Sequence, residues 1–201
     1  MQFESFNQIL PNLFLGPRFV AEKNIENLIK IGITHILNVT KEGETPYKSQ
    51  FTYKTIKIED DLGVQISDYF DSSFEFIDSS IKNNGKVYVH CDAGISRSPT
   101  IIIYYLMKSQ KKTLKEAFDF VKERRTAIRP NISFFKQLLK SEVDLFGFEK
   151  PSISEEIYAF GIFKDIFPSL SYNDFCSFYE ENGRDILKTE EDILSSLIRD
   201  F

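Results

Sequence analysis

The chain of 201 residues contains no tryptophan and only two cysteines, Cys91 and Cys176. Two cysteines are too few for the disulfide framework that stabilises small secreted proteins. No stretch approaches the ~18 consecutive apolar residues of a membrane-spanning helix. The first residues also lack the basic and apolar regions of a secretory leader. These absences predict a cytoplasmic or nuclear protein with no membrane partner.

Basic residues are scarce relative to acidic ones, with 25 Lys and Arg against 30 Asp and Glu. Such a chain lacks the basic face that nucleic-acid binding usually needs, so we expect no nucleic-acid partner. The acidity is uneven, because residues 1–150 hold 21 basic against 19 acidic residues, whereas residues 151–201 hold 4 against 11. This break predicts a catalytic domain at 1–150 and an acidic extension at 151–201.

Hydrophobic periodicity predicts strands that alternate with helices in the first 150 residues. The predicted strands are residues 13–16, 34–39, 51–58 and 86–89. The predicted helices are residues 20–31, 69–81, 99–107, 114–125 and 133–146. This order is typical of a layered α/β fold. The extension is predicted to be all-helical, with helices at residues 155–167, 173–181 and 190–201.

One segment, V-Y-V-H-C-D-A-G-I-S-R-S-P at residues 87–99, predicts a reactive site. A buried strand ends at Cys91, a tight loop follows, and a helix begins at Ser98 and Pro99, where proline suits the first turn. A loop between a strand and a helix N-terminus turns its backbone N–H groups inward and binds anions. Arg97 adds a planar fork that matches two phosphate oxygens.

Cys91 lies at the base of this loop, where the same positive field favours its nucleophilic thiolate. Attack on phosphorus would give a phosphocysteine that water hydrolyses, so neither a metal ion nor a cofactor is expected. Ser98 is placed to donate a hydrogen bond to the departing sulfur. The residues expected to bind the phosphate are Asp92, Ala93, Gly94, Ile95, Ser96 and Arg97.

The segment resembles the H-C-x5-R-S motif of protein tyrosine phosphatases, and A-G-I-S-R-S-P is most similar to their dual-specificity branch. Further similarities lie in L-F-L-G at residues 13–16, in I-T-H-I-L-N-V-T at 33–40, and in residues 67–78 and 130–138. The resemblance implies a central mixed sheet of about five strands, flanked by helices. It also implies phosphoprotein substrates, carrying phosphotyrosine or phosphoserine and phosphothreonine.

Members of the family that this segment resembles protonate the leaving oxygen of the substrate with an aspartate. That aspartate lies in a loop before the helix that leads to the strand ending at the cysteine. Asp60 and Asp61 both lie there, and counting ten residues back from Phe70 favours Asp60. Asn131 matches an asparagine that supports the phosphate loop, although Pro-Asn is also an ordinary helix start. We interpret His90 as a structural residue that hydrogen-bonds backbone.

Several alternatives remain open. A phosphoprotein-binding module without turnover would differ from an enzyme in failing to hydrolyse an aryl phosphate. A polyanionic substrate such as a phosphoinositide is disfavoured because Asp92 would repel it. Arg124, Arg125 and Arg129 form either a second phosphate site or a solvated helix face. The extension resembles a three-helix ubiquitin-binding module of the CUE type, with disturbed spacing near Thr189, or else packs its helices on the catalytic domain.

Overall fold

The first part of the chain forms a five-stranded sheet. Its strands, in chain order, are β1 (Asn7–Leu10), β2 (Leu13–Pro17), β3 (His35–Asn38), β4 (Thr52–Thr55) and β5 (Val87–Cys91). Their spatial order is β1-β2-β5-β3-β4; β1 runs antiparallel to β2, and all other neighbours are parallel. The predicted mixed sheet is therefore confirmed. The structure, a computed structural model, describes residues 5–199, and the chain divides between Ser152 and Ile153 into two compact units.

Helices cover the sheet of the first unit. They are α1 (Arg18–Lys23), α2 (Ile25–Lys30), α3 (Phe70–Lys82), α4 (Arg97–Gln110), α5 (Leu114–Arg124) and α6 (Ile132–Phe146). On one face, Phe14, Ile36 and Tyr88 of the strands pack with Val20 and Leu28 of α1 and α2. Because side chains alternate along a strand, the intervening residues face the other side, where α3 and α4 contact the sheet.

Helix α4 is the central helix of this unit. Its residues 97–107 are all buried, which confirms the prediction from their almost continuous apolar sequence. The helix contacts α3, α5 and α6 as well as β5. Its first residue is Arg97, and Pro99 lies in the first turn. This packing fixes the N-terminus of α4, and with it the loop that joins β5 to α4.

Three predictions for this unit were wrong in detail. Strand β1 was missed because Asn7–Leu10 is half polar and buries only Ile9. The predicted helix at residues 20–31 is two helices, since the backbone of Asn24 leaves the helical region at φ −129° and ψ 40°. The strand predicted at 51–58 pairs only over Thr52–Thr55, and it lies at the edge of the sheet.

The second unit consists of α7 (Glu155–Ile166), α8 (Tyr172–Glu181) and α9 (Ile186–Arg199). Phe175 stands at the centre of an aromatic cluster, with its ring centroid 5.3 Å from Phe163 and 5.1 Å from Tyr179. Helix α9 begins earlier than the predicted residue 190, and the last two residues of that prediction lie outside the described residues. Within residues 5–199, no helix is both long and apolar enough to cross a membrane.

Candidate active site

Cys91 is the last residue of β5, the central strand of the sheet. Its side chain is buried, with 2% of its surface exposed. The parallel neighbours β2 and β3 end at the same level, since Pro17 pairs with Cys91 and Asn38 pairs with His90. Cys91 therefore lies at the carboxyl edge of the sheet, which is where open α/β folds bind their ligands.

Two glycines allow the loop after Cys91 to pack against β2. Gly94 has a φ of +67°, a conformation that L side chains rarely adopt. A Cβ atom on Gly94 would lie 2.6 Å from the backbone of Gly16. A Cβ atom on Gly16 would in turn lie 2.4 Å from the hydroxyl of Tyr88. The glycine of L-F-L-G is thus required by close packing beneath the loop.

Ser98 lies in the first turn of α4, directly under the cysteine. Its hydroxyl donates a hydrogen bond to Sγ of Cys91 at 3.2 Å, and both side chains are buried. A hydroxyl donor stabilises negative charge on sulfur, and the N-terminus of α4 acts in the same direction. The structure therefore brings together the predicted nucleophile and the predicted donor to sulfur.

Arg97 follows the loop and is almost completely buried. Its Nη1 donates to the carbonyl of Ile58 at 3.1 Å, and its Nη2 donates to Oδ2 of Asp92 at 2.5 Å. Its buried Nε has no hydrogen-bond partner among the described residues, and Oδ2 of Asp60 lies 3.6 Å away. Buried donors are normally paired, so this edge of the guanidinium is suited to an oxyanion ligand.

Asp60 reaches the loop from the segment between β4 and α3. Its Oδ1 accepts hydrogen bonds from Ser96 Oγ and from Asn131 Nδ2, each at 2.8 Å. The neighbouring Asp61 instead accepts from the backbone N–H of Gly63 at 2.8 Å, within its own turn. Of the two candidates for the general acid, the structure brings Asp60 to the site.

Asn131 contacts both the first turn of α6 and the residues around the loop. Its Oδ1 accepts from the backbone N–H of Phe134 at 2.9 Å and so caps α6. Its own backbone N–H donates to Ser96 Oγ at 3.0 Å, while its amide group donates to Asp60. The cap and the site share one residue, because the N-terminus of α6 lies beside the loop.

His90 is buried under the sheet edge. Its ring stacks on Tyr88 with 5.6 Å between centroids, and its Nδ1 lies 3.4 Å from the carbonyl of Cys91. Burial lowers the pKa of His90 from 6.5 to about 4. The imidazole is therefore neutral at neutral pH, so the positive charge near Cys91 comes from Arg97, from Arg125 and from the helix terminus.

Arg125 corrects both interpretations given to it above, because it is neither solvated nor open to a phosphate. Its guanidinium is buried and donates to the loop carbonyls of Gly94 at 2.8 Å and Ala93 at 3.0 Å. It also donates to Oδ1 of Asn7 at 2.9 Å and to the carbonyl of Ser5 at 3.1 Å. Arg125 thus joins the loop to the segment around β1.

A sequence signal for Arg125 was available. Val121 and Ala117 lie four and eight positions before it and are both buried. This spacing extends the buried side of α5 to Arg125, the residue that directly follows the helix. Arg124 and Arg129 are exposed, as a solvated surface requires, and Arg124 stacks over the ring of Phe120.

This chain is similar to known proteins over most of its first unit. The family described as "Dual specificity phosphatase, catalytic domain" matches residues 13–144. Dual specificity protein phosphatase 1-A of Xenopus laevis is 43% identical over 149 residues, which cover 74% of this chain and 39% of that protein. Dual specificity protein phosphatase 2 of Homo sapiens is 46% identical over 138 residues, which cover 69% and 44%. The chain therefore spans less than half the length of these relatives.

Solved structures show the same fold. The human tyrosine phosphatase-like serine/threonine/tyrosine-interacting protein superposes with a TM-score of 0.68 and 37% identity, over 70% of this chain and 97% of that one. Human DUSP28 superposes with a TM-score of 0.66 and 27% identity, over 70% and 94%. The family match ends before α7, so the second unit lies outside it.

Proposed function

Because this chain belongs to the dual specificity phosphatase family, we propose that it hydrolyses phosphotyrosine as well as phosphoserine and phosphothreonine in proteins. The arrangement of Cys91, Ser98 and Arg97 around one loop carries this proposal. A buried thiol accepts a hydrogen bond from a buried hydroxyl, and the Nε of a buried arginine beside it makes no hydrogen bond among the described residues. These are the parts required to hold a phosphate in front of a sulfur nucleophile.

In the first step, the loop amides and Arg97 hold the phosphate while the thiolate of Cys91 attacks phosphorus. The S–P bond forms as the bond from phosphorus to the substrate oxygen breaks. Asp60 transfers its proton to that oxygen, which leaves as an alcohol or phenol. The hydrogen bonds from Ser96 and Asn131 hold Asp60 at the loop.

In the second step, water attacks the phosphocysteine. Asp60, now a carboxylate, accepts a proton from the water, and inorganic phosphate forms. The S–P bond breaks and Cys91 leaves as a thiolate. Ser98 stabilises this thiolate through the 3.2 Å hydrogen bond, so the same contact assists the thiolate as nucleophile and as leaving group.

The range of substrates depends on the depth of the pocket. The Asp60 loop occupies only residues 56–65, between β4 and the 3-10 turn Ile66–Tyr69. A catalytic region of this size has little chain with which to build the walls that would deepen a pocket for phosphotyrosine alone. A shallow site supports the proposed action on both short and long phosphorylated side chains.

A panel of matched peptides, carrying phosphotyrosine, phosphoserine or phosphothreonine, tests this proposal. We expect turnover of all three classes, and we expect Cys91→Ser to abolish turnover while retaining phosphopeptide binding. The second candidate function is phosphoprotein binding without turnover, since one structural neighbour is described as an interacting protein. Wild-type protein that binds the peptides but hydrolyses neither them nor an aryl phosphate would establish this second function.

The chemistry needs a reducing environment, which supports a location in the cytoplasm or nucleus. A reactive thiolate is readily oxidised outside such compartments. Both cysteines of the described chain, Cys91 and Cys176, are free.

We also propose that residues 1–150 act as the catalytic domain and that residues 151–201 form a separate module that contacts ubiquitin. In the module, Ile166 and Leu194 are 44% and 43% exposed. A cavity of about 440 Å³ is lined mainly by residues of α8, α9 and the segment between α7 and α8, including Phe167, Phe178 and Ile193. Exposed apolar side chains, next in the chain to residues of a cavity with a mixed polar and apolar lining, support a protein contact.

Capture of the full chain on immobilised ubiquitin tests the module. We expect binding by wild type and loss of binding by Ile166→Asp. The matched control is Leu187→Asp, which changes another exposed apolar residue of the same unit, away from the residues that line the cavity. Absence of binding by wild type would support packing of the helices within the protein as their only role.

A further inference from the structure

Asp92 connects the inner arginine of the site to a second arginine at its rim. Its Oδ2 accepts from Arg97 Nη2 at 2.5 Å, and its Oδ1 lies 3.4 Å from Arg18 Nε. The backbone carbonyl of Asp92 also accepts from the N–H of Arg18 at 3.0 Å. The side chain of Asp92 is 44% exposed and that of Arg97 is 7% exposed. Asp92 is thus a surface carboxylate that binds a buried guanidinium.

This contact uses a donor that a phosphate would need. A guanidinium holds a phosphate best through two parallel N–H groups. In Arg97, Nη1 is already bonded to the carbonyl of Ile58, and Nε has no hydrogen-bond partner among the described residues. The remaining nitrogen, Nη2, is bonded to Asp92. The carboxylate engages one of the two N–H groups of Nη2 and therefore competes with a phosphate for Arg97.

The rim adds further negative charge beside Asp92. Arg18 also forms ion pairs with Glu42 at 2.8 Å and with Glu22 at 3.5 Å. These carboxylates already largely balance the positive charge of Arg18. A ligand with one phosphate places its charge inside the loop, next to the amides and Arg97. A ligand with several phosphates must place the others at the rim, where it meets the carboxylates of Asp92 and Glu42.

We propose that Asp92 is a specificity-determining residue, whose carboxylate competes with the ligand for Arg97 and disfavours ligands carrying more than one phosphate. This inference rests on the proposed phosphatase function and extends it to the choice of ligand. Asp92 lowers the affinity of the loop for all phosphate anions, and it lowers the affinity for polyanions most. The selected substrates are those that present a single phosphate to the loop.

Inhibition of aryl phosphate turnover by two inorganic anions, phosphate and tripolyphosphate, measures this effect. We expect Asp92→Asn to lower the inhibition constant of phosphate about 5-fold and that of tripolyphosphate at least about 20-fold, at low ionic strength. Asp92→Asn should also raise kcat/KM for the aryl phosphate. This gain should come from a lower KM rather than a higher kcat. Asp92→Glu keeps the charge and should stay within about 3-fold of wild type for both anions.

A second variant, at Arg18, tests the competition between Asp92 and phosphate for Arg97. Arg18→Gln removes the residue that shares the Asp92 carboxylate, so Asp92 should hold Arg97 more tightly and phosphate should bind more weakly. In the Asp92→Asn background, the same Arg18→Gln change should have a much smaller effect. A purely structural role of Asp92 predicts weaker binding in every variant and no such coupling. If Asp92→Asn fails to fold, the same comparison of single and double variants can be made with Asp92→Ser.

Direct binding of tungstate by calorimetry separates the two proposals. If wild type binds tungstate and Asp92→Asn binds both tungstate and tripolyphosphate no more tightly, the role assigned to Asp92 is overturned. If wild type neither binds tungstate nor hydrolyses an aryl phosphate, the phosphatase function itself fails. Tighter binding by Asp92→Asn, with the larger gain for tripolyphosphate, supports the inference.

Discussion

The side-chain amide of Asn131 donates to Oδ1 of Asp60 at 2.8 Å, although 71 positions separate the two residues in the chain. The same oxygen accepts from Ser96 in the phosphate loop. The N-terminus of α6, the phosphate loop and the segment after β4 therefore meet at one carboxylate. The other oxygen, Oδ2, lies 3.6 Å from Nε of Arg97, the arginine proposed to bind the phosphate.

Asp60→Ala tests the general acid. We expect kcat on a phosphotyrosine peptide to fall about 10²- to 10⁴-fold, the range for loss of a positioned acid. An aryl phosphate with a very acidic phenol needs no proton, so its kcat should fall much less. KM should change little, because Cys91, the loop and Arg97 still hold the phosphate.

Asp61→Ala is the matched control, since Asp61 bonds only within its own turn among the contacts described above. Its kcat should stay near wild type on both substrates. A leaving-group-dependent loss in Asp61→Ala and none in Asp60→Ala would transfer the acid role to the neighbour.

Asn131→Ser tests positioning of the acid. Serine can still cap α6, but its short side chain cannot supply the amide donor to Asp60. We expect kcat on the phosphotyrosine peptide to fall about 5- to 30-fold. The loss of kcat should be smaller on an aryl phosphate whose leaving phenol is very acidic. The loss should vanish in the Asp60→Ala background. Equal losses on both substrates would show that Asn131 only shapes the loop.

Ser98→Ala tests the hydrogen bond to sulfur. Removing a hydrogen bond to a charged group costs about 1.5–3 kcal/mol, which corresponds to a loss of about 10- to 100-fold in rate. Because the thiolate then leaves less readily, the phosphocysteine should accumulate. Rapid-mixing measurements should show a burst of phenol followed by slow turnover. A single slow phase without a burst would place the effect on the first step instead.

Gly94→Ala tests the close packing of the loop on Gly16. Gly94 and Gly147 both have φ of +67°, but a Cβ on Gly147 meets nothing within 4 Å. Urea unfolding should show a loss of about 1–2 kcal/mol for Gly147→Ala, from backbone strain alone. Gly94→Ala should lose more than that and should also lose phosphate binding. Equal losses for the two variants would mean that the loop adapts to the extra carbon.

His90 makes stability depend on pH. In the unfolded chain its pKa is near the ordinary value of 6.5, and in the folded protein burial lowers it to about 4. Between these values the unfolded state binds more protons, so the free energy of unfolding falls as the pH falls. The loss by pH 4 is about 3 kcal/mol.

Urea unfolding of His90→Asn from pH 6.5 to pH 4.5 provides the measurement. The slope of the unfolding free energy against pH should be smaller than in wild type. The remaining slope includes His35, whose pKa is also lowered by burial. An unchanged slope would show that the acid sensitivity arises elsewhere.

The reactive loop was predictable because its function depends on residues that are contiguous in the chain. The residues from Cys91 to Ser98 carry the proposed nucleophile, the proposed anion-binding backbone and the arginine in one segment. The central sheet was predictable for a similar reason, since buried parallel strands have continuous apolar sequences. Helix α4 has the same property, and its burial was correctly predicted.

Contacts between distant segments were not predictable in this way. Arg125 looked like one of three surface arginines, and only the packing of α5 shows that it binds loop carbonyls. The contact of Asp92 with Arg97 depends on the curvature of the loop as well as on their opposite charges, and the sequence shows only the charges. The choice of Asp60 over Asp61 rested on counting, and the structure adds its contacts with Ser96 and Asn131.

The bonds of Arg125 have a consequence for trimming the chain. The family match begins at Leu13, yet Arg125 reaches across that point to Ser5 and Asn7. Removing residues 1–12 would take away two of the four acceptors described for Arg125 and leave the loop carbonyls of Ala93 and Gly94. A piece trimmed to the recognisable family segment would therefore lose part of the support that lies against its reactive loop.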